Sequence, residues 1–255
     1  MIPWFQFTQF SIGPLTIQVW GLFLALAFLV SIIASGYELK RKGLQHRIIL
    51  DLSVWVIIGA IVGGRLFYVL NEWSRFQEQL VDIFKLWQGG MALYGGVIGG
   101  SLAAWLFIKR KKLKFGPYAD AVLFTLPLGL FVGRIGCLMI HDHLGSVTTV
   151  PWGIEYLGQV RHETALYSLV LNLVLFIVLF FLRKAKFNFT GLVSSIFLIG
   201  YGLGRFVIDI FRAQDLPFSD PRFGGLTPSQ YVSILLVIMG IWLWIRIKKQ
   251  RLDDK

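Results

Sequence analysis

Charge is scarce in this chain of 255 residues: only 15% are Asp, Glu, Lys or Arg, where an average soluble domain carries roughly 25%. Cysteine is scarcer still. Cys137 stands alone, which excludes a disulfide framework and a cysteine-based zinc site. No Lys or Arg occurs in the first 16 residues. A cleavable signal peptide needs a positive n-region, so the first apolar segment is expected to be a permanent anchor. No low-complexity linker divides the sequence, and one domain over 1–255 is expected. What remains is apolar, with 56% hydrophobic residues and a mean hydropathy of +0.67. These values exclude a disordered chain and most soluble enzymes. A formal charge of +11 would suggest nucleic acid in a soluble protein. Here its placement follows membrane rules, so the partner expected is the lipid bilayer and no nucleic acid.

A transmembrane helix needs about 20 mostly apolar residues. Seven segments qualify, at roughly 17–36, 48–70, 91–108, 119–140, 164–182, 190–211 and 226–247. Each is a long apolar run without strict alternation, which argues for helices rather than a barrel. The expected fold is therefore all-α, a polytopic bundle of seven transmembrane helices. Alternate connections hold seventeen of the 25 Lys and Arg: Lys40, Arg41, Lys42 and Arg47; Lys109 to Lys112 and Lys114; Arg183, Lys184 and Lys186; Arg246, Lys248, Lys249, Arg251 and Lys255. The opposite side holds five: Arg75, Lys85, Arg161, Arg212 and Arg222. The positive-inside rule then puts the N-terminus outside and the C-terminus in the cytoplasm. Extra structure is expected in the long outer loops, about 71–90 and 141–163. The pairs Gly59-Gly63, Gly96-Gly100, Gly129-Gly133 and Gly200-Gly204 are spaced for close helix packing in lipid.

Three arginines remain inside spans: Arg65, Arg134 and Arg205, each following a glycine. Counted from the outer end, each lies about five to seven residues deep, or roughly 8–10 Å. An intramembrane arginine costs about 2.5–3.5 kcal/mol at the centre on insertion scales and less near an interface. Arg205 has Asp209 one turn on and Arg212 three residues beyond. Arg134 has no acid within a turn of its own helix; Asp142 is two turns further. An unpaired guanidinium at this depth asks for an anion, and the fitting one is a lipid phosphate, bound bidentately. Trp20 and Tyr94 fall at the same level, where the ordinary aromatic belt also accounts for them. His141, Asp142, His143 and His162 are placed on the outer side. Two histidines two residues apart make a poor zinc signature, so neither metal nor cofactor is expected.

The chain also resembles a known family over nearly its whole length. The pieces are IQVWGL, GGRLFYVL, QGGMALYGGVIGG, GRIGC with Gly145 eight residues later, RHETALY, YGLGRFVIDIFR and LTPSQYVSI. Together and at these spacings they resemble the prolipoprotein diacylglyceryl transferases. The resemblance implies a seven-span enzyme of the bacterial plasma membrane. Its partners would be phosphatidylglycerol and the lipobox cysteine of a lipoprotein precursor, which receives the diacylglyceryl group while glycerol phosphate leaves. It also implies that Arg134 binds the headgroup and that Arg205 is essential, with Asp209 as its acid. Asp142 falls where the family has Glu, Gly145 matches a family glycine, and Trp20 stands where the family has Tyr.

Two departures follow. The family's HGG motif reads Tyr94-Gly95-Gly96 here, and the asparagine of GRxGN is Cys137. The implied chemistry uses Arg134 and Arg205 on the phosphate with Arg65 as helper. Tyr94 would serve in a proton relay; the candidate bases are His141, His143 and His162, with His141 beside Asp142 preferred. Cys137 reads as a small apolar residue rather than a nucleophile. The rival readings are a divergent paralogue with another acceptor and a non-catalytic lipid-binding or transport protein. A transporter should carry an inverted repeat, and none is visible.

Overall fold

A computed structural model describes residues 4–183, 189–217 and 219–253. Lys184, Lys186 and Lys255 of the basic set lie outside the described residues, as does the side chain of Arg251. The chain opens on a hairpin, β1 (Gln9–Ile12) and β2 (Leu15–Gln18), which leads into α1 (Val19–Arg41) and α2 (Ile48–Asn71). After the single turn α3 (Trp73–Phe76) and two 3-10 turns come α4 (Leu93–Arg110) and α5 (Phe115–Ile140). Three short strands follow, β3 (Leu144–Val147), β4 (Ile154–Tyr156) and β5 (Gln159–Glu163). The chain ends in α6 (Thr164–Leu182), α7 (Leu192–Ile210) and α8 (Pro228–Asp253).

Among the described residues six helices, α1, α2, α5, α6, α7 and α8, are long and apolar enough to cross a membrane. Only 17% of the α1 window and 39% of the α7 window is buried inside the protein, so the outward faces are apolar, as lipid requires and water does not. The 18-residue α4 is not among the six. Its length includes Lys109 and Arg110, and four glycines dilute its apolar content.

The all-α expectation needs correction. The molecule is mostly helical, but β1 pairs with β2, and β3 and β4 both pair antiparallel with β5. The strands are three to five residues long. The pairing of β3 with β5 is non-local, so no local alternation announced it.

The chain forms two compact units, Gly36–Tyr118 and the remainder. In Gly36–Tyr118, α2 packs on α4 almost backbone to backbone. A Cβ on Gly63 would meet the Gly95 carbonyl and lie 2.9 Å from Gly99 Cα. A Cβ on Gly59 would come 2.6 Å from the Gly99 carbonyl oxygen. The contacting pair on α4 is thus Gly95 and Gly99, one position before the expected Gly96 and Gly100. The latter two would meet their neighbours only at 3.4 Å or more.

The same unit explains Arg65, which is 6% exposed. Its Nε donates to the Ile83 carbonyl at 2.8 Å, Nη1 to those of Gly89 and Gly90 at 2.6 and 3.0 Å, and Nη2 to that of Asp82 at 2.6 Å. Tyr68 and Phe76 present their rings to it. Gly89 and Gly90 take φ of +80° and +81°, a conformation glycine adopts without Cβ strain, and this turns their carbonyls onto the guanidinium.

In the larger unit, Gly129 lets α5 touch Ala27 and Ser31 of α1. Gly200 and Gly204 receive Leu175 and Leu171 of α6. Phe124, Leu179, Val193 and Phe197 form the buried core of α5, α6 and α7. Asp120 of α5, 1% exposed, accepts from the backbone N–H groups of Gly191 (2.6 Å) and Ser194 (3.0 Å) and from the Ser194 hydroxyl. It therefore caps α7 from a neighbouring helix, satisfying donors that a helix start leaves orphaned.

Gly63→Ala is expected to lower unfolding stability in detergent by about 1–3 kcal/mol, the range for overpacking, while Gly96→Ala stays near wild type. Equal tolerance of both would contradict the packing described. Arg65→Met should leave the 82–90 carbonyls unpaired, so limited proteolysis should cut that stretch faster; an unchanged cleavage rate would argue against the clamp.

Candidate active site

Helix α5 carries Arg134 and ends at Ile140 because His141 takes a left-handed φ of +49°, closing on the Cys137 carbonyl at 2.9 Å. The chain then turns through Asp142 and His143 into β3. The Thr164 hydroxyl fixes this turn by donating to the His143 carbonyl at 2.5 Å. Helix α7 carries Arg205 and Asp209, and the residues after it run beside β3. Ser146 N donates to the Phe211 carbonyl at 2.8 Å, and Gly145 bridges Arg212. A Cβ on Gly145 would sit 2.5 Å from the Phe211 carbonyl oxygen and 2.6 Å from His162 Cβ. The glycine leaves the room that brings Arg212 to the His143 turn.

The side chains of α5, this turn and the end of α7 converge. Arg205 Nη2 lies 2.8 Å from Asp209 Oδ1 and donates to the Ser229 hydroxyl at 3.2 Å. Asp209 is fully buried, and its Oδ2 accepts from the Thr227 hydroxyl. Arg212 Nη2 lies 2.7 Å from Asp220 Oδ2 and 3.5 Å from His143 Nδ1. His143 Nε2 is 3.5 Å from Asp142 Oδ2. The half-buried Arg134 is different: among the described residues its guanidinium meets no carboxylate at ion-pair distance, and its hydrogen-bond partner is Cys137 Sγ at 3.7 Å.

Proton affinities outside the spans report the same field. Burial, then Arg212, Arg134 and Arg205, push His143 down to about 3. Burial raises Asp142, and Arg134 pulls it back. Three guanidiniums thus oppose a positive charge on one histidine.

Cys137, Asp142 and His143 offer donor atoms within 4.8 Å of one another, which is close enough to hold a metal ion. The same three arginines oppose a cation there and favour an anion.

The remaining expected residues fall elsewhere. His141 is not beside Asp142 in function: its Nδ1 pairs with Glu163 Oε2 at 2.6 Å, both side chains sealed from solvent. Trp4 and Phe5 cover the ring. Glu163, which sequence reading passed over, also accepts from Ala165 N and so caps α6. His141 thus ties the ends of α5 and β5 through Glu163. Trp20 is 47% exposed at the start of α1. Tyr94 is half-buried in the first turn of α4, in the other unit. Arg65 belongs to that unit too, and its donors meet the 82–90 carbonyls.

Arg212, three residues beyond Asp209 in the sequence, turns instead to Asp220 and His143. Arg161 is 4% exposed and grips Asp215 with both Nη atoms, at 3.0 and 2.5 Å. These bonds draw Asp215 down to about 2.

Comparison with known proteins converges on one family. A family model described as prolipoprotein diacylglyceryl transferase matches residues 8–246. The phosphatidylglycerol–prolipoprotein diacylglyceryl transferase of Legionella pneumophila (strain Lens) is 34% identical over 241 residues, covering 92% of this chain and 94% of the relative. That of Finegoldia magna is 32% identical over 248 residues, covering 96% and 98%. That of Trichormus variabilis is 34% identical over 262 residues, covering 96% and 91%. The chain therefore belongs to the prolipoprotein diacylglyceryl transferase family.

Proposed function

We propose that this protein transfers the diacylglyceryl group of phosphatidylglycerol to the lipobox cysteine thiol of a lipoprotein precursor, in the bacterial plasma membrane. The observation that carries the reading is Arg134. It is a half-buried guanidinium without a carboxylate, set beside two further arginines at the end of an apolar bundle. A phosphodiester anion supplies the missing charge, and the diacylglyceryl chains extend into the lipid that the helices face.

In the reaction the thiol sulfur bonds to the glyceryl carbon and the carbon–oxygen bond to phosphate breaks. The electron pair leaves with glycerol phosphate, whose charge grows from one negative unit toward two. Donors already aimed at that oxygen stabilise the transition state more than the bound lipid. Arg134 is assigned to the phosphate, with Arg205 and Arg212 completing the positive field. Asp209 holds Arg205 in place, and Gly145 and Asp142 shape the turn opposite. Trp20 is assigned to the surroundings of the headgroup as an interfacial aromatic.

Helix α4 is assigned as a seventh span. Its 18 residues make about 27 Å, close to the hydrocarbon thickness of about 30 Å. Lys109 lies over the Trp105 ring at 4.8 Å, a posture suited to snorkelling. With seven spans, the distribution of Lys and Arg supports an external N-terminus and a cytoplasmic C-terminus.

The test is transfer of radiolabel from phosphatidylglycerol to a lipobox peptide by the protein in vesicles. Arg134→Ala should lower turnover by about 10²–10³, the usual loss of one preorganised donor. Arg134→Lys should restore little, because an ammonium cannot bind bidentately. Label that never reaches the peptide with wild-type protein, or full turnover by Arg134→Ala, would refute the proposal.

A further inference from the structure

The thiol must lose its proton, and the cluster contains few groups that can take it. His141 is locked to Glu163 under Trp4 and Phe5. His162 Nδ1 is 2.6 Å from the Tyr167 hydroxyl. Asp209 is consumed by Arg205 and Thr227. Glu163 is fully buried and caps α6. Among the described residues of the cluster, Asp142 and His143 remain.

Their geometry assigns different parts to them. A guanidinium has only donors, so the Arg212 Nη2–His143 Nδ1 approach of 3.5 Å leaves the lone pair on Nδ1 and the hydrogen on Nε2. That Nε2–H faces Asp142 Oδ2 at 3.5 Å. A carboxylate behind one imidazole nitrogen and, once Arg212 withdraws, a free lone pair on the other make the arrangement of a positioned general base. The Thr164 bond to the His143 carbonyl keeps the backbone of the turn in place.

Resting on the transferase reading above, we infer that His143 Nδ1 is the base that deprotonates the acceptor thiol, that Asp142 positions it, and that the lipid phosphate releases Nδ1 by drawing Arg212 to itself. The groups facing His143 are Arg134 and Cys137 from α5, Asp142 from its own turn, and Arg205 and Arg212 from the end of α7, with Asp220 on the far side of Arg212.

Without lipid, burial and the three arginines keep the ring neutral and its proton affinity low, at about 3. In that state it cannot compete for a thiol proton, whose ordinary value is about 8.5. A phosphodiester among the arginines offsets their field, and the affinity of the ring rises. The base is therefore switched on by the substrate that supplies the diacylglyceryl group. The thiol proton passes to Nδ1, and sulfur bonds to the glyceryl carbon. The carbon–oxygen pair leaves on glycerol phosphate, whose second ionisation is near 6, and the imidazolium then returns its proton to that phosphate.

Two measurements on the full chain test this. In phosphatidylcholine nanodiscs, histidine-labelled protein is titrated by NMR with and without phosphatidylglycerol. The His143 midpoint should lie well below the ordinary 6.5 in phosphatidylcholine alone and rise by at least about one pH unit when phosphatidylglycerol is present. In the transfer assay, His143→Gln should lower kcat by about 10²-fold or more while KM for phosphatidylglycerol stays within about threefold. Asp142→Asn should displace the acid limb of the kcat profile, which a purely structural residue would not do. A midpoint that ignores phosphatidylglycerol, or a His143→Gln variant with near wild-type kcat, overturns the inference and leaves the transferase reading standing. A wild-type protein that transfers nothing overturns both.

Discussion

A guanidinium taken out of water must be given a partner, and the way this protein meets that demand organises the rest of it. Arg65 is surrounded by backbone carbonyls of a single loop. Arg161 takes Asp215, Arg205 takes Asp209, and Arg212 takes Asp220. Each of these is a closed account of charge. Arg134 is not closed: a cysteine sulfur is its hydrogen-bond partner among the described residues. An uncompensated cation next to lipid is expensive to keep, and the expense makes sense when a phosphate arrives to meet it.

The scaffold is built to hold that cluster rigid. Asp120 fastens the start of α7 to α5, so the helices that bear Arg134 and Arg205 are tied near one end. At the other end, Gly145 lets β3 lie against the segment after α7, and the His141–Glu163 pair ties the ends of α5 and β5. The polar residues of the larger unit thus divide by task. Fully buried pairs carry structure, while Arg134, Asp142 and His143 are only partly buried.

Much of this was legible in the sequence, for physical reasons. Spans follow from apolar length, and arginines inside them stand out because their cost is high. The pairing of Arg205 with Asp209 follows from helical spacing. What was not legible depends on contacts between distant segments. The face of α4 that meets α2 is set by Gly95 and Gly99, and only the partner helix decides between that register and its neighbour. His141 was matched with Asp142 because they are adjacent in sequence, yet the left-handed turn at His141 sends its ring to Glu163, 22 residues away. Arg65 looked equivalent to Arg134 by depth and by its preceding glycine. The difference lies in the 82–90 loop, whose carbonyls reach one and not the other. The strands are not legible because each is too short to show a period, and β3 pairs with a segment well beyond it in the chain.

The most direct test of the central claim is the lipid that the protein keeps. Protein extracted gently from vesicles of equal phosphatidylglycerol and phosphatidylcholine should, by native mass spectrometry, retain phosphatidylglycerol selectively, and Arg134→Gln should lose that selectivity while remaining folded. Equal retention of the two lipids by the wild-type protein, or undiminished preference in Arg134→Gln, would contradict the account.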